Sequence, residues 1–335
     1  MKTGKVSESV LKRSIIRQIK TKRQEIISGA VVGGDCAIFS LSEQGKEGNL
    51  VTCMQEAAIL TDETADVWPP VTMEHLITVC VNNLAVGGAK PFAILLTLLL
   101  PMEFEEAGLK SLIGQAEAVC KRYNMQLAGG QTTVTQAVSA PVAVITGYGI
   151  REDGIKIGKA SPGQDVIITK WVGLQGTSYL AKKYKEELCK RYPAYYIEEA
   201  ASFEKYLSVV PEAAVAAKSG VGAMHDISKG GVFGSLWELA ESAGVGLDID
   251  LKKIPLKQET VEVCEFCNRN PYELMSAGSL LITAFDGDKM LQVLQEAGIE
   301  ATIVGRVTDS KDRILRNEDE IRYMDRPCVD AIYEI

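Results

Sequence analysis

Between Pro91 and Pro101 runs the stretch FAILLTLLL, the most apolar in the chain. It is close to strand length and well short of the roughly 20 apolar residues that a membrane-spanning helix needs, so it predicts a buried strand. Such a strand demands covering layers, and the flanking sequence offers them. Further strands are expected at CAIFSL, NLVTCM, MQLAGG and APVAVITGYGI, with amphipathic helices over 74–87 and 103–123. Helix 103–123 opens with acidic residues and closes with Lys121 and Arg122, as the helix dipole favours.

The polar, Gly- and Pro-punctuated segment REDGIKIGKASPGQ then interrupts the pattern. A second series follows: strand DVIITKWV, helix GTSYLAKKYKEELCKRY, helix 195–207, the segment HDISKGGVFGSLWELAESAG, helix 256–269, strand SLLITAF, helix GDKMLQVLQEAG and strand EATIVGRV. At 335 residues the chain is long enough for two cores, so two domains are expected, 1–155 and 156–335. Each reads as a mixed α/β (α+β) layer. No phosphate loop, G-x-G-x-x-G fingerprint or G-x-S-x-G elbow is present.

Charge narrows the partners. With 36 Lys and Arg against 44 Asp and Glu, the net charge of −8 argues against nucleic acid, whose binding rests on clustered cations. The local basic run Lys12–Arg23 has Val10, Leu11, Ile15, Ile16 and Ile19 at helical spacing and reads as a solvated helix face. Eight scattered cysteines with no signal peptide ahead of them predict a reduced, cytoplasmic protein outside the membrane. Cys264 and Cys267 lack a second pair to complete a tetrahedral zinc site and read as packing residues.

Three stretches carry candidate chemistry. In VVGGDCAIF, Gly33 and Gly34 free the backbone before Asp35, which reads either as a carboxylate presented at a strand edge or as a solvated turn residue. In AGGQTTVTQAV, Gly129 and Gly130 precede Gln131, Thr132, Thr133 and Thr135, a pattern suited to a phosphate or polar ligand and equally to a β-bulge. In MHDISKGGVFGSLWELAESAG, Gly230, Gly231 and Gly234 open a helix with apolar face Val232, Leu236, Leu239 and Ala243. Uncovered N–H groups at that start would suit phosphate oxygens. His225, Asp226 and Ser228 precede it, close enough to orient a ligand or move a proton. The other histidine, His75, sits in a helical apolar pattern and reads as structural.

These stretches, with VNNLAVGGAKPFAILLTLLLP, VIITKWVGLQGTSYLA and CEFCNRNPYELMSAGSLLITA, resemble the family of AIR synthase, the hydrogenase-maturation protein HypE, thiamine-monophosphate kinase and selenophosphate synthetase, and are most similar to HypE and hydrogenase-maturation-factor-like proteins. The resemblance implies an N-terminal domain that pairs with its twin into a dimeric β-barrel, a C-terminal α/β domain, and ATP in the cleft between them with Mg²⁺ on carboxylates. Asp35 stands where the family has one such carboxylate. Asn83 and Gln131 stand where it has two others, and Gln55 or Glu56 falls at a further position. Amides keep oxygen ligands but remove charge, which weakens a site for a hard cation. HypE acts through a cysteine at its extreme C-terminus; here Cys328 follows Pro327 but is not terminal, and reads as structural.

The expected function is therefore a HypE-like homodimer binding a nucleotide or other phosphate-bearing ligand, with weak or altered ATP-dependent activity and a possible maturation partner protein. A non-catalytic scaffold paralogue and a thiamine-monophosphate-type kinase are the alternatives.

Overall fold

The computed structural model describes residues 8–10, 12, 16, 26–28, 31–40, 48–61, 67–152, 154–327 and 329–333. The chain forms two compact units. The first holds Ile26–Ser28 and the described residues of 35–154; the second holds those from Ile155 onward and takes in the described N-terminal residues 8–16 and 31–34. Among the described residues no helix is long and apolar enough to cross a membrane.

A helical turn, α1 (Glu8–Val10), comes first and belongs to the second unit. The first unit then contains β1 (Ile26–Ser28), β2 (Ala37–Ser40), β3 (Asn49–Ala58), α2 (Met73–Val86), β4 (Lys90–Leu100), α3 (Glu106–Arg122), β5 (Gln126–Val134) and β6 (Val142–Arg151). The strands form one sheet in the order β1-β2-β3-β6-β4-β5, antiparallel except for the parallel pair β4–β5. The Pro-bounded apolar run is β4, paired on both sides as its burial requires. Thr72 caps α2 by accepting the His75 N–H at 3.3 Å, and the His75 ring faces the Thr72 N–H at 3.5 Å, so His75 belongs to a capping box.

Side-chain alternation decides what each face of this sheet meets. Cys53 of β3 touches Cys80 of α2, Sγ to Sγ at 3.5 Å, so its neighbour Met54 points away from α2. Met54 of β3 and Leu95 of β4 both pair with Thr146 of the intervening β6 and share that outer face. They are 60% and 38% exposed. The sheet is open in a single chain, with β1 and β5 at its edges, rather than closed into a barrel.

The second unit contains β7 (Asp165–Thr169), α4 (Leu174–Lys183), α5 (Lys185–Leu188), α6 (Ala194–Ala201), α7 (Val210–Ala217), β8 (Ala223–Ile227), α8 (Gly231–Ala243), β9 (Gly246–Asp250), α9 (Gln258–Phe266), β10 (Ser279–Ala284), α10 (Gly287–Glu296), β11 (Ala301–Thr308), β12 (Arg313–Asn317) and β13 (Glu320–Tyr323). Its sheet runs β13-β12-β9-β11-β7-β10-β8, with β12–β9 the parallel pair. Val232, Leu236, Leu239 and Ala240 of α8 bury against Ile227, Leu247 and Ile249 of the sheet. Beyond β7, the Lys170 ammonium is buried on Glu212 of α7 at 2.6 Å and on the carbonyls of Tyr206 and Ser208. Burial pushes the Lys170 ammonium below its ordinary value, against the opposing pull of Glu212 and Asp226.

Several expectations need correction. The division at 155 assigned every earlier residue to the first domain, yet the N-terminal residues pack with the second unit because α8 gathers them. Trp237 Nε1 donates to Glu8 Oε2 at 2.8 Å, Lys12 bridges Glu8 and Glu241, and Arg313 lies 3.8 Å above the Trp237 ring while pairing with Glu241 at 2.7 Å. Of the basic run Lys12–Arg23 only Lys12 and Ile16 are among the described residues, and Cys328 lies outside them. The helix expected through GTSYLAKKYKEELCKRY breaks at Tyr184 into α4 and α5. Gly129 and Gly130 lie inside β5 rather than ending it; a side chain at Gly130 would meet the Leu96 carbonyl oxygen at 1.8 Å, so glycine there permits the close parallel pairing with β4.

Candidate functional site

The third glycine stretch folds as a strand, a tight turn and a helix. Among the described residues β8 is a sheet-edge strand paired with β10, setting Leu281 opposite His225 and Leu280 opposite Asp226. Both side chains are almost wholly buried, and strand alternation sends them to opposite faces. His225 turns toward α8, with Nε2 3.2 Å from Glu238 Oε2. Asp226 turns to the other face, where its charge acts on Lys170. As adjacent residues of a strand the two face opposite ways, so one ligand beside α8 would meet His225 and not Asp226.

Glu238 also receives the first glycine stretch. Gly33 has φ +70°, and a side chain there would meet the Glu238 carbonyl oxygen at 2.4 Å. Its glycine is required twice over, by the left-handed backbone and by the approach to α8. Two stretches far apart in sequence thus meet at one helix.

The start of α8 does not leave its N–H groups uncovered as expected. Gly230 N–H donates to Asp330 Oδ2 at 2.6 Å, Gly231 N–H to the Ser228 carbonyl at 3.2 Å, Phe233 N–H to the Tyr272 carbonyl at 3.2 Å and Gly234 N–H to the Gly230 carbonyl at 3.1 Å. The physical reason is the general one that buried donors must find acceptors, and here the chain supplies them. Gly231, at φ +64°, has no space for a side chain, since one would lie 2.4 Å from the Tyr272 carbonyl oxygen. The Phe233 ring stacks on Tyr272 with centroids 5.2 Å apart. Beside this turn is a cavity of about 210 Å³ lined by Gly230, Phe233, Gly234, Asn270, Arg322 and Arg326 among others. Its two guanidiniums offer positive charge to a small anionic group, with Arg322 already paired to Glu320 at 2.9 and 3.0 Å and the carboxylates of Glu273 and Asp325 in the same lining. Asp330, Arg322 and Arg326 gave no signal in the sequence, because they lie in a segment with no glycine or periodic pattern.

In the first unit, Asp35 is half-buried immediately before β2. Burial pushes the adjacent Cys36 thiol up to about 12, with the Asp35 charge adding to the rise and Arg151 opposing it. Asn83 sits on α2 and is only 7% exposed, with Asn82 fully buried beside it. Gln131 and Thr132 are exposed on the edge strand β5, in register with Thr97 and Leu98 of β4. Gln55 is half-buried and Glu56 exposed on β3. For Mg²⁺ the donor set at the expected positions is the Asp35 carboxylate, the Asn83 and Gln131 amides, and Gln55 or Glu56. That set is poor in charge and does not fit a hard dication that favours several charged oxygens. Among the described residues no three His, Cys, Asp or Glu side chains gather as a metal site.

Comparison with known proteins places the chain. The family model described as "AIR synthase related protein, N-terminal domain" matches residues 33–151, and "AIR synthase related protein, C-terminal domain" matches 161–316. A hydrogenase expression/formation protein of Methanocaldococcus jannaschii is 26% identical over 259 residues, covering 75% of each chain. The carbamoyl dehydratase HypE of Rhizobium leguminosarum is 26% identical, over 68% of this chain and 65% of its own. A thiamine-monophosphate kinase of Methanospirillum hungatei is 31% identical over 67% of this chain and 71% of its own. Among solved structures, HypE in a HypE–HypF complex superposes with TM-score 0.73 at 21% identity, covering 95% of this chain and 99% of that one. A HypE in complex with ATP gives 0.67 at 15% identity, with 98% and 97% covered. A ThiL protein complexed with AMPPCP and TMP gives 0.69 at 19% identity, with 97% and 99% covered. With both of its units matched, the chain belongs to the AIR synthase related protein family and is a HypE-like member of it.

Proposed function

We propose that this protein is a cytoplasmic HypE-like homologue, acting in hydrogenase maturation, that binds a nucleotide or another phosphate-bearing small molecule with little dependence on Mg²⁺. The observation that carries the reading is the polar cavity beside the start of α8, whose lining includes Gly230, Gly234 and the guanidiniums of Arg322 and Arg326. Ser228 and Gly231 shape that turn, and His225 is a positioning residue through Glu238. Asp35, Asn83, Gln131 and Thr132 are proposed as the polar groups of the first unit, with Asn83 and Gln131 replacing the charge that a metal-bound triphosphate would need. Relatives named for HypE, and the HypE of the HypE–HypF complex, support a maturation partner protein as the further binding class.

Calorimetric titration with ATP tests this. ATP is expected to bind with an affinity that changes less than about threefold, or roughly 0.7 kcal/mol, when Mg²⁺ is removed. Binding that disappears without Mg²⁺ overturns the account of the lost charge. No binding in either condition supports a second reading, a non-catalytic scaffold subunit, which the amides at positions 83 and 131 and the capped start of α8 favour. Transfer of phosphate to thiamine monophosphate would instead establish the kinase alternative.

The assembly proposed is a homodimer through the outer face of the first sheet. Met54 and Leu95 share that face, and Phe92 is 46% exposed on the same strand as Leu95. Apolar surface of this kind on a monomer is costly in water. Sedimentation at micromolar concentration is expected to give a dimer, and Leu95→Glu is expected to give monomers that retain their fold. A wild-type monomer at that concentration removes the proposal.

A further inference from the structure

The second sheet ends in an edge at β13, all four of whose residues are exposed. Among the described residues its strand neighbour is β12, with Asn317 opposite Glu320 at the turn and Ile314 opposite Tyr323 at the far end. One step further, the Met324 N–H donates to the Arg313 carbonyl at 2.7 Å, which marks that opposed pair as hydrogen-bonded. Antiparallel pairs alternate between bonded and non-bonded, so Arg322 and Glu320 also turn their backbone groups toward β12, whereas Ile321 and Tyr323 turn theirs to the open edge. The side chains of Ile321 and Tyr323 share one face and are 53% and 68% exposed. Glu320 and Arg322 share the other face, joined at 2.9 and 3.0 Å.

We propose that this edge docks a second copy of the chain, β13 pairing antiparallel with β13 about a two-fold axis centred on Ile321. Because Ile321 and Tyr323 carry the outward backbone groups, the two copies can shift against each other only in steps of two residues. With Ile321 opposite Ile321 of the second copy, Glu320 faces Arg322 of that copy and Arg322 faces its Glu320. Both pairs fall at the closer, non-hydrogen-bonded spacing, where side chains interact most. One step in either direction sets Glu320 against Glu320 or Arg322 against Arg322, and like charges directly opposed are destabilising. The apolar face favours the same register, since Ile321 meets its own copy with Tyr323 diagonal to it on each side.

Charge also selects the occupant. Charged residues on a sheet edge ordinarily deter pairing with other strands. The order Glu320, Ile321, Arg322 deters a strand of different sequence but matches itself when read in reverse, and the contact is isologous and closes on itself. An interface of one short strand is small beside the roughly 1,200 Å² of a standard one, so the association is weak and is displayed at high protein concentration. It lies on the second sheet, apart from the outer face of the first, and therefore doubles whatever species that other face produces.

Sedimentation of the full chain from about 5 to 500 µM tests this, with the mass at the lowest concentration expected to double as concentration rises. Arg322→Glu and Glu320→Arg, each alone, set like charges against each other and are expected to weaken the association about tenfold. An equal mixture of the two variants restores opposite charges at both positions and is expected to recover wild-type association to within about threefold. Ile321→Pro removes an outward N–H that β12 does not use, and is expected to abolish the association while the hairpin stays paired. Amide exchange at the two ends of the concentration range is expected to slow at Ile321 and to stay unchanged at Arg322, whose N–H faces β12. No growth in mass up to 500 µM overturns the proposal. So does growth that persists in Arg322→Glu, or a mixture of the two variants that associates no better than either alone.

Discussion

Gly231→Val is expected to destabilise the second unit by about 4 kcal/mol, and Gly230→Ala by about 1 kcal/mol, although the two glycines are neighbours in the same turn. Both have left-handed backbones, at φ +64° and +89°. They differ in surroundings. A side chain at Gly231 would lie 2.4 Å from the Tyr272 carbonyl oxygen and within 3 Å of the Glu273 backbone, and neither can yield without moving the loop that carries Asn270 to Met275. A side chain at Gly230 would find its nearest neighbour at 3.7 Å and incur only the backbone strain. A β-branched residue at position 231 adds its own aversion to positive φ. Denaturant midpoints at unchanged slope measure the difference. Equal midpoints for the two variants would mean that the loop relaxes freely and that Gly231 is not required by packing.

Restoring charge is expected to have the other large effect. The double variant Asn83→Asp, Gln131→Asp is expected to bind MgATP about a hundredfold more tightly than the parent, since each supplies a charged oxygen to a hard cation. The two positions differ in their cost. Gln131 is exposed on β5, so a carboxylate there is solvated when no metal is present. Asn83 is 93% buried on α2, so a carboxylate there must shed its water and is expected to lower stability by roughly 1–3 kcal/mol in metal-free buffer. Mg²⁺ with nucleotide is expected to return that stability. A folded double variant whose ATP affinity is unchanged by Mg²⁺ would show that positions 83 and 131 do not address the ligand.

Much of the fold was legible where periodicity was strong. β4 announced itself by a proline-bounded apolar run, β6 by alternation, and α8 by the spacing of Val232, Leu236 and Leu239. β9 also alternates, with Leu247 and Ile249 buried between half-buried aspartates, but its short stretch reads as the tail of the preceding glycine motif. β12 and β13 were hidden because they are short and rich in polar residues such as Arg313, Arg316, Glu320 and Arg322, with β13 at the sheet edge facing water. α7 was hidden because VPEAAVAA has too little polar contrast to mark a face. The glycine turn before α8 was visible in the sequence, but the acceptors that occupy it were not. Asp330 is 100 residues away from Gly230, and only the fold brings the pair together.

The N-terminal clasp on α8 has a consequence for the order of synthesis. Glu8 and Lys12 leave the ribosome more than two hundred residues before their partners Trp237 and Glu241. At about 5–20 residues per second that separation is a wait of roughly ten seconds or more. During it the first sheet has all of its strands available, while the segment ahead of it has no partner to hold. Folding of this chain is therefore not strictly vectorial: Glu8 and Lys12 find their places only after the residues up to Glu241 have been made.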